Sequence, residues 1–286
     1  MNTFGTRPSK HAHAEKKFQH FAGVLEIEDF NLDTGLTGMP DQNKENAPYE
    51  CVGYTVAEML TTILKTPIDP DFSYSAARYI AGDGKEGTQG TSFHAGLQGA
   101  IGLGGLPKSL AVFSAATRGE EYVSDFGNYL ASLKSAALAN VQNGLRNVLG
   151  QGDDFDSILS AAYTSKIPVS IGSPWYDEWS TNIQGGVVQK PYVDGVYPGW
   201  HNYAMMGQKT IQGIPHLIIK SWQGTRVGDG GYLYFSRETI NTALSEKGSG
   251  ALTFDPKAVR WWSLVGILVM RFPFLLPMLP QLLKIK

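Results

Sequence analysis

The chain reads as an α+β protein in which helices come first and antiparallel strands follow. Two stretches predict this. From Cys51 onward, apolar residues recur at Val52, Val56, Met59, Leu60, Ile63 and Leu64, the spacing of one buried helical face. From Trp200 to Phe235, short β-rich runs alternate with glycine-bearing turns, as in consecutive antiparallel strands. With 286 residues, 42% of them hydrophobic, the chain can bury a full core shared by two packed halves.

The helix begins at the sole cysteine of the sequence. A thiol in a first helical turn lies near the positive end of the macrodipole, which favours thiolate and raises nucleophilicity. Lone cysteines are more often small buried hydrophobes, so Cys51 gains meaning only from a partner. A single cysteine also excludes an intrachain disulfide, which suits a reducing compartment or a fold that does without staples.

The partner is His201, which opens the first β-rich run, Trp200-His201-Asn202-Tyr203-Ala204-Met205-Met206-Gly207. After a turn at Gln212-Gly213 the chain continues through His216-Leu217-Ile218-Ile219-Lys220-Ser221-Trp222-Gln223-Gly224-Thr225, then Gly228-Asp229-Gly230-Gly231-Tyr232. This segment resembles the C-terminal half of papain-like (C1) cysteine peptidases. His201, Ala204, Gly207, Lys220, Gly224, Thr225, Gly228, Asp229, Gly231 and Tyr232 fall on that family's pattern, without a gap from Lys220 onward. His201 follows Cys51 at the upper edge of the roughly 130–150-residue separation such peptidases keep.

The resemblance implies a two-lobed papain-like fold of a divergent prokaryotic or viral type. Its helical half would run from Cys51 to about Tyr163, and its antiparallel, barrel-like β half from about Lys166 to Asp255. Asp71–Tyr79 looks like the second helix; Gly90–Leu97 with Gly104-Gly105-Leu106-Pro107 looks like the next helix and its stop; Ile167–Gly172 resembles the strand opening the β half. That half also needs its first strand from the roughly fifty residues before Cys51, so a full inhibitory prosegment does not fit there. The organisation expected is a polar extension over 1–21, a peptidase domain over 22–258 and an apolar tail over 259–286.

The resemblance further implies catalytic roles for Cys51 and His201. The family's oxyanion-hole glutamine maps to Gln42, somewhat further upstream than usual, a distance that a short insertion at Lys44 to Asn46 accommodates. Asn43, or no side chain at all, is the rival. At the third catalytic position, where the family has asparagine, the ungapped alignment puts Ser221. A one-residue shift instead matches Ser221-Trp222 to the family's Ser-Trp and leaves no third residue. A serine hydroxyl can accept from a ring N–H, at shorter reach than an amide. Trp222 is expected either to shield the His201 pair from water or to serve as a plain core tryptophan.

Other chemistry is less favoured. His11-Ala12-His13 has no acidic or thiol partner nearby and reads as solvated tail, and His20, His94 and His216 as surface or satisfied core residues. Gly102-Leu103-Gly104-Gly105 does not follow a strand and reads as a helix terminator. Gly228-Asp229-Gly230-Gly231 lacks the further acids of a calcium loop and the Lys-Ser pair of a phosphate loop, and reads as a hairpin turn. A net charge of −2, from 24 basic and 26 acidic residues, leaves no footprint for nucleic acid. No metal or organic cofactor is required by thiol chemistry.

Met1 to Lys17 contains no apolar h-region, so a cytoplasmic or virion-associated location is expected. Residues 261–283 are long enough to cross a bilayer, but Arg271 and three prolines interrupt them. Packing on the domain or a partner, interfacial membrane attachment and a true span are the three readings of this tail. The function expected is thiol-dependent peptide-bond hydrolysis on a protein or peptide substrate. The alternatives are a weak or inactive papain-fold binding module and an amide hydrolase of peptidoglycan cross-peptides.

Overall fold

The computed structural model describes residues 6–7, 27–45, 47, 49–83, 90–111, 148–152, 154–181, 183–189 and 199–254; of 6–7 and 148–152 it describes the backbone only. The apolar tail, His11, His13 and His20 lie outside these residues.

Helix α1 (Cys51–Leu64) begins after Glu50, which provides no side-chain cap. Helix α2 (Pro70–Ala81) is fully punctuated: the Asp69 carboxylate accepts from the Phe72 N–H, Pro70 stands in the first turn, and Gly82 ends it at φ 69°. Helix α3 (Phe93–Leu103) starts with the Ser92 hydroxyl accepting from the Ala95 N–H and stops at Gly104, as its glycine cluster predicts. The three helices pack backbone to backbone. A Cβ on Gly53 would lie 2.4 Å from the Pro70 carbonyl oxygen, and one on Gly99 would lie 2.9 Å from Ala77 N.

The strands are β1 (Thr6–Arg7), β2 (Phe30–Asn31), β3 (Thr91–Ser92), β4 (Val148–Gly152), β5 (Val169–Trp175), β6 (Ile183–Gln184), β7 (Val187–Val188), β8 (Gly199–Ile211), β9 (Ile214–Lys220), β10 (Tyr232–Phe235) and β11 (Gly250–Phe254). They join in one sheet along the path β4-β11-β5-β8-β9-β10-β7-β6, with β1 and β2 pairing onto β8. Pairing is antiparallel except for β1 with β3 and β10 with β7. Strand β2 meets β8 at Phe30 opposite Gln208, so residues before Cys51 do feed the sheet.

Period-two alternation sends successive side chains to opposite faces of this sheet. Ala204, Met206, Ile218 and Tyr234 join a cluster with Val52, Val56, Met59 and Leu60 of α1. Tyr203, Met205, Leu217, Ile219, Leu233 and Phe235 join a second cluster with helix α4 (Phe155–Ser165) and helix α6 (Arg237–Ser245), which lies beyond the short α5 (Glu178–Thr181). The halves therefore divide earlier than the expected boundary near Tyr163. Phe155, Ile158 and Ala162 give α4 an apolar face that fits the far side of the sheet, and β4 pairs with β11.

The turn at Gly228–Gly231 is a tight reversal, with Asp229 and Tyr232 exchanging backbone hydrogen bonds of 2.9 and 3.1 Å. Among the described residues no helix is long and apolar enough to cross a membrane.

Candidate active site

Cys51 is the first residue of α1 and is fully buried, in the cluster that also holds Ala204, Phe93 and Trp222. His201 is the third residue of β8, opposite Ser173 of β5, and is also fully buried. Both side chains are closed off from solvent. A cavity of about 70 Å³ beside Trp222 is lined by Tyr54, Glu58 and Pro40 among others, and neither Cys51 nor His201 reaches it. Beside His201 the backbone of β1 crosses between the lobes: Thr6 pairs with Thr91 at the entry to α3 and with Trp200, the residue before His201.

The His201 ring has a defined orientation. Its Nε2 lies 2.9 Å from the carbonyl oxygen of Ser221. A carbonyl only accepts, so Nε2 carries a proton, and Nδ1 is the nitrogen that takes one up. Burial pushes the imidazole down to about 4, offset only in part by the Ser221 carbonyl. The ring is therefore neutral near pH 7. Trp175 meets it edge-on at 4.8 Å between centroids, and Tyr203 lies stacked at 6.1 Å.

Ser221 thus meets the His201 ring through its main chain. Its hydroxyl turns the other way and donates to Gln223 Oε1 at 3.4 Å. The Trp222 indole packs on Tyr54 of α1. Trp175, the last residue of β5, packs its ring against His201 and opens the aromatic run Trp175-Tyr176.

The indole N–H of Trp222 donates at 3.0 Å to both the Thr55 hydroxyl and the Asn202 carbonyl, and the Thr55 hydroxyl donates at 2.9 Å to the Cys51 carbonyl. These bonds tie the first turn of the Cys51 helix to the strand of His201. Phe93 of α3 adds a packing tie: its ring occupies the space a Cβ at Gly172 of β5 would need, at 2.2 Å.

Gln42 is 2% exposed, whereas its rival Asn43 points to solvent. The Gln42 N–H donates to the Trp222 carbonyl at 3.0 Å, which lays this segment against the one that follows Ser221.

Behind the site lies a buried charge cluster that motif matching did not anticipate. Lys220 Nζ, 1% exposed, donates to Asp33 at 2.9 Å, Glu58 at 3.0 Å and Thr37 at 3.0 Å. Tyr232 donates to the same Asp33 oxygen at 2.6 Å, and Thr37 to Glu58. Burial raises the Glu58 carboxyl by more than the Lys220 charge lowers it. At Asp33 burial also pushes up, but Lys220, Tyr232 and the Gly35 N–H together bring the carboxyl below its ordinary value. The signal for this cluster was an acid amid Val56, Ala57, Met59 and Leu60, and a lysine ending the apolar run Leu217-Ile218-Ile219.

No protein-family model matches the chain, and no curated protein matches it by sequence. Solved structures do. Xylellain, a cysteine protease from Xylella fastidiosa, is 18% identical at TM-score 0.59, over 88% of this chain and 90% of that one. The bromelain protease from Ananas comosus in complex with the E64 inhibitor is 15% identical at TM-score 0.55, over 80% and 98%. Digestive procathepsin L 3 of Tenebrio molitor larval midgut is 12% identical at TM-score 0.59, over 88% and 76%. Identities this low speak for architecture alone, and the architecture of this chain is the papain-like fold.

Proposed function

We propose that the chain is a thiol-dependent endopeptidase of divergent papain-like type, acting on protein or peptide substrates through Cys51 and His201. The observation that carries this reading is the bond from His201 Nε2 to the Ser221 carbonyl, which makes Nδ1 the basic nitrogen of a neutral ring. A general base needs that state. The position of Cys51 at the first residue of α1 adds the favourable field of a helix start.

In this reaction the Cys51 Sγ–H proton passes to His201 Nδ1 as sulfur bonds to the acyl carbon of the scissile amide. The carbonyl π pair moves onto oxygen, stabilised by the Cys51 main-chain N–H and the Gln42 side chain. Collapse re-forms the carbonyl, breaks the C–N bond and sends the proton from His201 to the leaving amine. Water, deprotonated by His201, then cleaves the thioester and returns the thiol.

The burial of both side chains favours a second reading, a papain-fold binding module without turnover. Incubation with a mixture of internally quenched peptides separates the two. Turnover that Cys51→Ala abolishes supports the peptidase; binding without cleavage supports the module.

A further inference from the structure

We propose that Trp222 and Thr55 are positioning residues for His201, acting through the Ser221 carbonyl that stands in for a side-chain third member. The inference rests on the peptidase reading for its kinetic consequence but not for its structural one.

Trp222 has φ 62°, in the left-handed region, where a bulky residue is a true outlier that persists only if its surroundings over-determine it. The surroundings do. The indole N–H is held from two sides, by the Thr55 hydroxyl and the Asn202 carbonyl, each at 3.0 Å. The ring stacks on Tyr54 at 6.0 Å and an interplanar angle of 28°. The Trp222 carbonyl is held in turn by the Gln42 N–H.

The φ angle of a residue sets the direction of the carbonyl that precedes it, because rotation about N–Cα turns the whole preceding peptide plane. Anchoring Trp222 at both ends therefore aims the Ser221 carbonyl, and that carbonyl meets His201 Nε2 at 2.9 Å. The ordinary conformation of a tryptophan, with negative φ, would turn the acceptor away and free the ring to adopt its other tautomer. The strain at Trp222 is thus held by α1, whose Thr55 hydroxyl also donates to the Cys51 carbonyl. The same clamp registers the turn bearing the thiol and the acceptor that fixes the base.

The test uses the full chain with Thr55→Val, Thr55→Ser and Trp222→Phe, read by ¹⁵N NMR of labelled histidine and by peptide turnover. Thr55→Val keeps shape and burial but removes one of the two acceptors of the indole N–H, and the donor to the Cys51 carbonyl. Thr55→Val and Trp222→Phe should each populate the Nδ1–H tautomer of His201 and lower kcat roughly tenfold with KM nearly unchanged. Thr55→Ser should restore both readouts. The two substitutions share the indole–Thr55 bond, so the double variant should lose less than the sum of the single losses. If wild type does not turn over but the tautomer shifts as stated, positioning stands and the peptidase reading falls. If the tautomer stays fixed in both single variants, or kcat falls only with the folded fraction seen by circular dichroism, the proposal is overturned.

Discussion

His201 Nε2 lies 2.9 Å from the main-chain oxygen of Ser221, not from its side chain. No substitution at position 221 deletes that acceptor, because every residue carries a main-chain carbonyl. Ser221→Ala should therefore leave turnover within about twofold of wild type, because only the weak 3.4 Å bond to Gln223 is removed. A large loss of kcat in Ser221→Ala would return the third role to the hydroxyl.

Burial of His201 has a signed consequence for stability. Its native value, about 4, lies below the ordinary 6.5, so between those pH values the unfolded chain binds more protons than the native one. Stability is full above pH 6.5 and falls as pH drops toward 4, by up to about 3 kcal/mol from this group alone. Urea unfolding from pH 7 to 4.5 measures it, with His201→Gln as the reference. The variant should show a shallower decline in that window, and parallel curves would contradict the account.

The Lys220 cluster predicts unequal effects from its members. Lys220→Met leaves buried acids without their cation and should cost about 3–5 kcal/mol. Glu58→Gln removes one of the two acids and leaves Lys220 paired with Asp33, so it should cost less than Lys220→Met. Denaturant midpoints at neutral pH decide between this ordering and equal losses.

The Gln42 side chain, if it completes the oxyanion hole with the Cys51 N–H, contributes mainly to the transition state. Gln42→Ala should then reduce kcat by about a hundredfold with little change in KM. Asn43→Ala, at an exposed position, should change neither.

Strand β1 pairs with Trp200 beside His201 and with Thr91–Ser92 across from it. Deleting residues 1–7 frees those backbone groups for an extended peptide. Turnover of quenched peptides should rise, chiefly through a lower KM. A truncated chain that folds and shows unchanged KM would mean that β1 lies off the substrate path.

The fold was legible because two periodicities were strong. The apolar repeat after Cys51 became α1, and the glycine-punctuated runs from Trp200 became β8, β9 and β10. The placement of α4 was not legible, because an amphipathic helix does not declare which side of a sheet it covers. The site divides in the same way. Residue types pointed to Cys51, His201 and Gln42, whereas the acceptor for His201 is a peptide carbonyl, which every residue carries. The left-handed Trp222 that aims it has no sequence mark, since φ > 0 is advertised by glycine or asparagine and not by tryptophan. The Lys220 centre was half visible, as a matched lysine whose two acids come from distant segments.

The most direct test of the Cys51–His201 assignment is the rate of covalent labelling by E64 across pH, followed by intact mass, in wild type and His201→Ala. The account predicts one adduct, mapped to Cys51, formed at near-neutral pH and slowed at least about a hundredfold by His201→Ala. Equal rates in the two proteins, or labelling that rises only as an ordinary thiol ionises near pH 8.5, would contradict it.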